Sequence, residues 1–188
     1  MMYVKGQIIS NLPIFIKERF GDRGFYRWDS NLSWQAIDIY HSTIIDGEWY
    51  PLKIALSEPM DTACKMFYTD SLHGAIEFGR YLGDREKNKK NKFFPFPIKM
   101  DYESPLKKAC DTLRSYYRPA NVILANMNGN SATIQIKDFP ESDITEVIIA
   151  GWFQRMLGRD NSKNAFIEMK RKTKNGISIE YLVKWNAS

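Results

Sequence analysis

Residues 122–139 read VILANMNGNSATIQIKDF, and residues 165–185 read AFIEMKRKTKNGISIEYLVKW. Each stretch sets an Asn-Gly pair, Asn128-Gly129 or Asn175-Gly176, between two runs in which apolar and polar residues alternate. A period of two marks a strand with one buried face. Asn-Gly supplies the positive φ that both centres of a type I′ turn require, so each stretch predicts a β-hairpin. In the last strand Ile177, Ile179, Tyr181, Val183 and Trp185 share one face, and Ser178, Glu180 and Lys184 the other.

Between the hairpins, ESDITEVIIAGWFQRMLG (141–158) has helical spacing. Asp143 and Glu146 are placed to form a capping box, Ile144, Val147, Ile148 and Trp152 form the apolar stripe, and Gly158 is the stop. Upstream, Ser104 and Pro105 start a helix whose apolar positions run to Tyr116 and Tyr117, and Pro119 ends it.

Further towards the N-terminus the strand period gives way to helix. Residues 11–20 predict a short helix capped by Asn11, with Pro13 in its first turn and Gly21 as its stop. Residues 22–45 are expected to be irregular with one or two short helices, and residues 46–52, DGEWYPL, to turn into another. Residues 59–82 predict the longest helix, with Cys64, Phe67, Leu72, Ala75, Phe78, Gly79 and Leu82 on one face. Gly74 and Gly79 within it imply close approach of a neighbouring helix. The basic run at 85–92 and FFPFP (93–97) interrupt the pattern.

The expected architecture is a single α+β domain over residues 1–188. A mainly helical half, 1–119, precedes a ββ-α-ββ half, 120–188, whose antiparallel sheet carries helices on one face. A composition of 44% hydrophobic and 26% charged residues is that of a globular chain. Nothing approaches the roughly 20 apolar residues of a membrane span. The N-terminus lacks a signal-peptide pattern, and two cysteines are too few for a disulfide framework, so a cytoplasmic setting is expected.

Chemistry is sparse. The chain has no metal-ligand pairing, nucleophile elbow, phosphate loop or dinucleotide fingerprint. Cys64 and His73 would face apart if one helix carried both. Glu48, His73 and Arg118 are the residues an unfamiliar enzyme would have to gather, but the pattern favours no enzyme. The formal charge of +5 concentrates in runs at 85–92 and 168–174. Neither run interleaves stacking aromatics with its cations, so nucleic-acid binding is not expected. These runs do define the alternative reading, a protein- or nucleic-acid-interaction module.

Aromatic residues reach 14%. Beyond filling a core, they point to an apolar cavity between helices and sheet, with Trp49, Tyr50, Phe67, His73, Tyr117, Arg118 and Trp152 as candidate ligand-binding residues.

Four stretches, VKGQIISNLPIFIKERFG (4–21), GEWYPL (47–52), GAIEFGRYLGD (74–84) and YYRPANVILANMNGNSATIQI (116–136), together resemble an uncharacterised bacterial family. That family is similar to heme–nitric oxide binding domains, four-vinyl reductase-type domains and TRAPP trafficking subunits. The resemblance implies a fold that encloses a small hydrophobic ligand or dimerises, hence a sensing or regulatory domain and a homodimer. It does not extend to heme. Heme–nitric oxide domains use a proximal histidine and a Tyr-x-Ser-x-Arg signature, whereas SYYRP (115–119) lacks that spacing and neither histidine has a matching context. No cofactor or metal is expected. A lipid carried on cysteine, as in the trafficking relatives, would fall on Cys64 or Cys110.

Overall fold

The computed structural model describes residues 1–89, 103–137, 139, 142–157, 165–172 and 178–185. Helices occupy the N-terminal half and an antiparallel sheet the C-terminal half, as expected. The chain opens with strand β1 (Tyr3–Lys5), then α1 (Gly6–Ile9), α2 (Asn11–Asp29), α3 (Trp34–Tyr40) and β2 (Trp49–Pro51). A π-helical turn (Lys53–Ser57) leads into α4 (Glu58–Phe67), α5 (His73–Lys89) and α6 (Glu103–Tyr116). The second half contains β3 (Tyr117–Arg118), β4 (Asn121–Asn128), β5 (Ser131–Lys137), α7 (Asp143–Leu157), β6 (Ala165–Lys172) and β7 (Ser178–Trp185). The Arg118–Pro119 peptide bond is cis.

The main sheet has the order β4-β5-β7-β6, every pairing antiparallel. On its inner face Ala132, Ile134 and Ile136 of β5 stand opposite Val183, Tyr181 and Ile179 of β7. All six are buried, whereas Lys184 is exposed, as the alternation requires. The first hairpin differs at its tip. Asn128 pairs with Ser131, so Gly129 and Asn130 form the turn. Positive φ among the described residues is confined to Gly21, Thr69 and Asp70, so this is not the type I′ turn that Asn-Gly implied. A bulge between Leu124 and Asn126 shifts the register and moves the tip by a residue. The Asn175-Gly176 turn, Gly158, FFPFP and the end of the 85–92 run lie outside the described residues.

Helix α7 is the centre of the molecule. Residues Thr145 to Phe153 are all buried, because α7 has the main sheet on one side and α5 on the other. Phe153 packs on Tyr181 with ring centroids 5.3 Å apart, and the Tyr181 hydroxyl donates to the Glu146 carbonyl at 3.0 Å. Against α5, contact is backbone to backbone. A Cβ on Gly79 would lie 2.0 Å from the Ile148 carbonyl oxygen, and one on Gly151 2.3 Å from that of Ile76. The helix begins differently from the expected box: Ser142 is the cap, its Oγ accepting from the Thr145 amide at 3.3 Å, and Asp143 is the first helical residue.

Three further expectations are corrected. A second, small sheet of order β2-β1-β3 joins the first residues of the chain to 49–51 and 117–118, and its strands are too short to show a period. The long helix at 59–82 is two, α4 and α5. At the break Thr69 and Asp70 are left-handed, and the amides of Tyr68 and Asp70 both bond the Cys64 carbonyl. Cys64 and His73 therefore belong to different helices. Gly21, at φ 69° and outside helical geometry, ends the first helical stretch of α2 as expected, and residues 22–29 form a second stretch beyond the kink. Asn11 is no cap: its amide donates to the Gln7 carbonyl at 2.6 Å, within a nearly continuous α1–α2 run.

Candidate functional site

A groove of about 470 Å³ runs between the helical half and the start of α7. Pro51, Leu52, Lys53 and Ile54 form one wall, continued by Ser57, Glu58 and Asp61. Met1 and Met2 form another, and Ser142 and Ile144 close the far side. The lining is apolar because the chain leaves β2 through Pro51, which has no amide to donate, and passes straight into the π-helical turn. Strand alternation ends there, and Leu52 and Ile54 both reach the groove.

Three hydroxyls meet at the α7 end of the groove. Ser57 Oγ and Thr145 Oγ1 are 3.0 Å apart, Ser142 Oγ lies 3.1 Å from Thr145 Oγ1, and Ser142 donates to Ser57 Oγ at 3.3 Å. A hydroxyl can both donate and accept, so the three can satisfy one another. Glu58 and Asp61 stand at the rim, paired with Lys53 at 3.6 Å and Lys65 at 2.7 Å. These exposed pairs contribute little stability.

The seven sequence candidates fall into three places. Trp49, Tyr50, Tyr117 and Arg118 are brought together on the small sheet, across β1 from one another. Tyr117 is buried, edge-on to Phe139 at 5.9 Å, and burial raises its hydroxyl well above the usual tyrosine range. The Tyr50 hydroxyl accepts from the Ile45 amide at 3.0 Å. Trp49 and Arg118 lie on the sheet's other face, the guanidinium 5.9 Å from the indole centroid.

Phe67 and His73 lie at the corner between α4 and α5. Phe67 stacks on Phe20 at 4.1 Å, and His73 Nε2 is 3.4 Å from Glu77 Oε1. Glu77 also accepts from Tyr68 at 3.0 Å and pairs with Arg19 at 3.1 Å. Trp152 is inside, against Phe153, beside a void of only about 20 Å³, enough for one water molecule. Nearby the Tyr116 hydroxyl donates to the buried Glu86 carboxylate at 2.8 Å. None of the seven lines the groove.

Sequence reasoning missed Met1, Met2, Leu52, Ile54 and Ile144 as groove residues, and Lys5 beside Trp49. The available signal was the apolar pair opening the chain and the Pro51–Leu52 step out of an aromatic strand.

Donors for a metal or heme iron are poorly placed. The chain has two histidines. His41 and His73 both have side chains 57% exposed, and they pair with Asp29 and Glu77. Cys64 and Cys110 are buried, and burial pushes both thiols up to about 11, so they stay protonated at neutral pH. No group of three or more metal-ligating side chains gathers among the described residues. No helix among them is long and apolar enough to cross a membrane.

No family model matches the chain, and no curated protein matches it. Solved structures do. A crystal structure of the Fe(II) unliganded H-NOX protein from K. algicida aligns over 98% of this chain and 97% of its own, with TM-score 0.68 and 13% identity. An H-NOX protein from S. oneidensis in the Fe(II)NO ligation state aligns over 97% and 99%, with TM-score 0.59 and 11% identity. At such identities the likeness is one of fold: the chain has an H-NOX-like fold over nearly its whole length.

Proposed function

We propose that this chain is a non-enzymatic small-molecule-sensing or regulatory domain that takes a small apolar ligand in the groove between its helical half and the start of α7. The observation that carries this reading is the groove itself. Its volume of about 470 Å³ falls within the roughly 300–1,000 Å³ usual for small-ligand sites, and its lining is apolar with a few convergent hydroxyls. The fold it shares with iron-bearing H-NOX proteins supports a sensing role.

Heme is not the sensing group in this reading, because the residues present do not fit it. A proximal imidazole must face an interior, and both histidines point outward into ion pairs. The raised thiols of Cys64 and Cys110 are poor substitutes, since iron prefers a thiolate. Catalysis has no support either: no hydrogen bond or ion pair joins Glu48, His73 and Arg118 among the described residues.

The test is binding of an environment-sensitive apolar fluorophore, alongside native mass spectrometry before and after organic extraction. Wild type should bind one probe per chain, and Ile54→Trp, which fills the groove from a half-buried position, should weaken binding about tenfold. Equal binding by the filled variant, or none by wild type, refutes the reading.

A further inference from the structure

The small sheet has two unlike faces. Val4 is fully buried, with Tyr50 and Tyr117 directly opposite it on the neighbouring strands. Because strand side chains alternate, Tyr3 and Lys5 point the other way, and so do their partners Trp49 and Arg118. Arg118 is exposed, and Tyr3, Lys5 and Trp49 are half-exposed.

This outward face gathers two cations on one aromatic ring. Lys5 Nζ sits 4.3 Å from the Trp49 ring centroid and Arg118 Cζ 5.9 Å from it, so one indole holds two cations. Lys5 donates to the Gly47 carbonyl, and among the described residues neither cation has a carboxylate partner. Arg19, Arg114 and Arg155 pair with Glu77, Asp111 and Asp84, while Arg80 and Arg85 bond the neutral Gln154 and Tyr81. A guanidinium has five donors in a fixed fork that matches a carboxylate, and those of Arg118 are unspent. The indole limits the rotamers of both cations, so less ordering entropy is lost when an anion arrives.

We propose that this face, built from Lys5, Trp49 and Arg118, is a docking surface for an acidic segment of a partner protein. Charge complementarity selects the partner, and the exposed part of the indole supplies an apolar contact beside the carboxylates. The surroundings favour a peptide over a nucleic acid. Asp46 and Glu48 are exposed in the turn before β2, and their backbone carbonyls accept from the Gln7 and Gly6 amides at the start of α1, which fixes that turn at the margin of the patch. A continuous phosphate backbone leaving the two cations in that direction meets repulsion, whereas a short acidic segment can end there. This surface is separate from the proposed ligand groove and is tested without any groove ligand.

The experiment is fluorescence anisotropy on the full chain with a fluorescein-labelled 12-residue peptide of Glu, Asp and Ala at low salt. The peptide should bind saturably, and Lys5→Gln with Arg118→Gln should weaken binding by about tenfold or more. Lys107→Gln, which removes an exposed lysine on α6, should leave binding nearly unchanged. Circular dichroism checks that each variant is folded; should the double variant fail, Arg118→Gln alone serves, since its side chain is exposed. Absence of peptide binding, equal binding by the charge-neutral variant, or tighter binding of a single-stranded oligonucleotide of the same length would each overturn the proposal.

Discussion

Replacing Gly79 by alanine should destabilise the protein, although alanine is the better helix former. The added Cβ would lie 2.0 Å from the Ile148 carbonyl oxygen and 2.9 Å from both the Ile148 carbonyl carbon and the Trp152 amide nitrogen. These are backbone atoms of a buried helix and cannot swing aside as a side chain would. Restoring ordinary contact requires α5 and α7 to separate by on the order of 1 Å, which loosens Phe78 and Trp152 as well. Overpacking of this kind costs up to about 3 kcal/mol. Alanine returns about 1 kcal/mol through helix propensity. The net loss is therefore about 2 kcal/mol, which lowers Tm by roughly 4–8 °C in a chain of this size. Urea and thermal unfolding followed by circular dichroism give the measurement. Gly47→Ala is the control, because nothing lies within 4 Å of that position, and it should stay within about 0.5 kcal/mol of wild type. A Gly79→Ala protein as stable as wild type would refute the backbone-contact argument.

Two further outcomes follow from the same geometry. Ser142→Ala removes the α7 cap and should cost about 1 kcal/mol, more than Asp143→Ala at the neighbouring exposed position; the reverse order in urea unfolding would return the cap to Asp143. Stability should also fall in alkali. The Cys64 and Cys110 thiols titrate near 9.0 in the unfolded chain and near 11 when folded. The folded state keeps protons that the unfolded state releases, so this stabilisation is complete below about pH 9 and is lost as pH rises towards 11. Tyr40, Tyr117 and Tyr181, also raised by burial, extend the loss higher. Urea midpoints that do not change between about pH 7.5 and pH 10.5 would contradict this.

The proposed groove and docking face share two strands. Met1 and Met2 line the groove immediately before Tyr3 and Lys5 reach the docking face, and Pro51 and Leu52 line it two and three residues after Trp49. A ligand pressing on those walls bears on the strands that carry Lys5 and Trp49. Comparing anisotropy titrations of wild type and Ile54→Trp reads any such coupling directly.

Parts of this arrangement were legible from local pattern. Ile134 and Ile136 against Ile179, Tyr181 and Val183 announced a one-sided sheet, because alternate burial leaves a period of two in the sequence. Gly79 announced a close helix neighbour, and α7 supplied it. Other features left no local trace. The break between α4 and α5 lies at Thr69 and Asp70, which adopt left-handed backbone where the Tyr68 and Asp70 amides both bond the Cys64 carbonyl. Of the candidate site, Trp49 and Arg118 could be picked out by type, but Lys5 could not be joined to them. Strands of two and three residues carry no periodicity, and their pairing spans more than a hundred residues of chain.

By itself, then, the sequence determined the hairpin-helix-hairpin order of the C-terminal half and which face of the main sheet is buried, since these follow from side-chain period and local backbone preference. Tertiary structure alone decided that α7 is buried all round, that residues 1–5 bridge positions near 50 and 118, and that the aromatic candidates disperse over three places. Those outcomes depend on contacts between residues distant in the chain, whose free energy is set by packing and carries no signature in neighbouring residues.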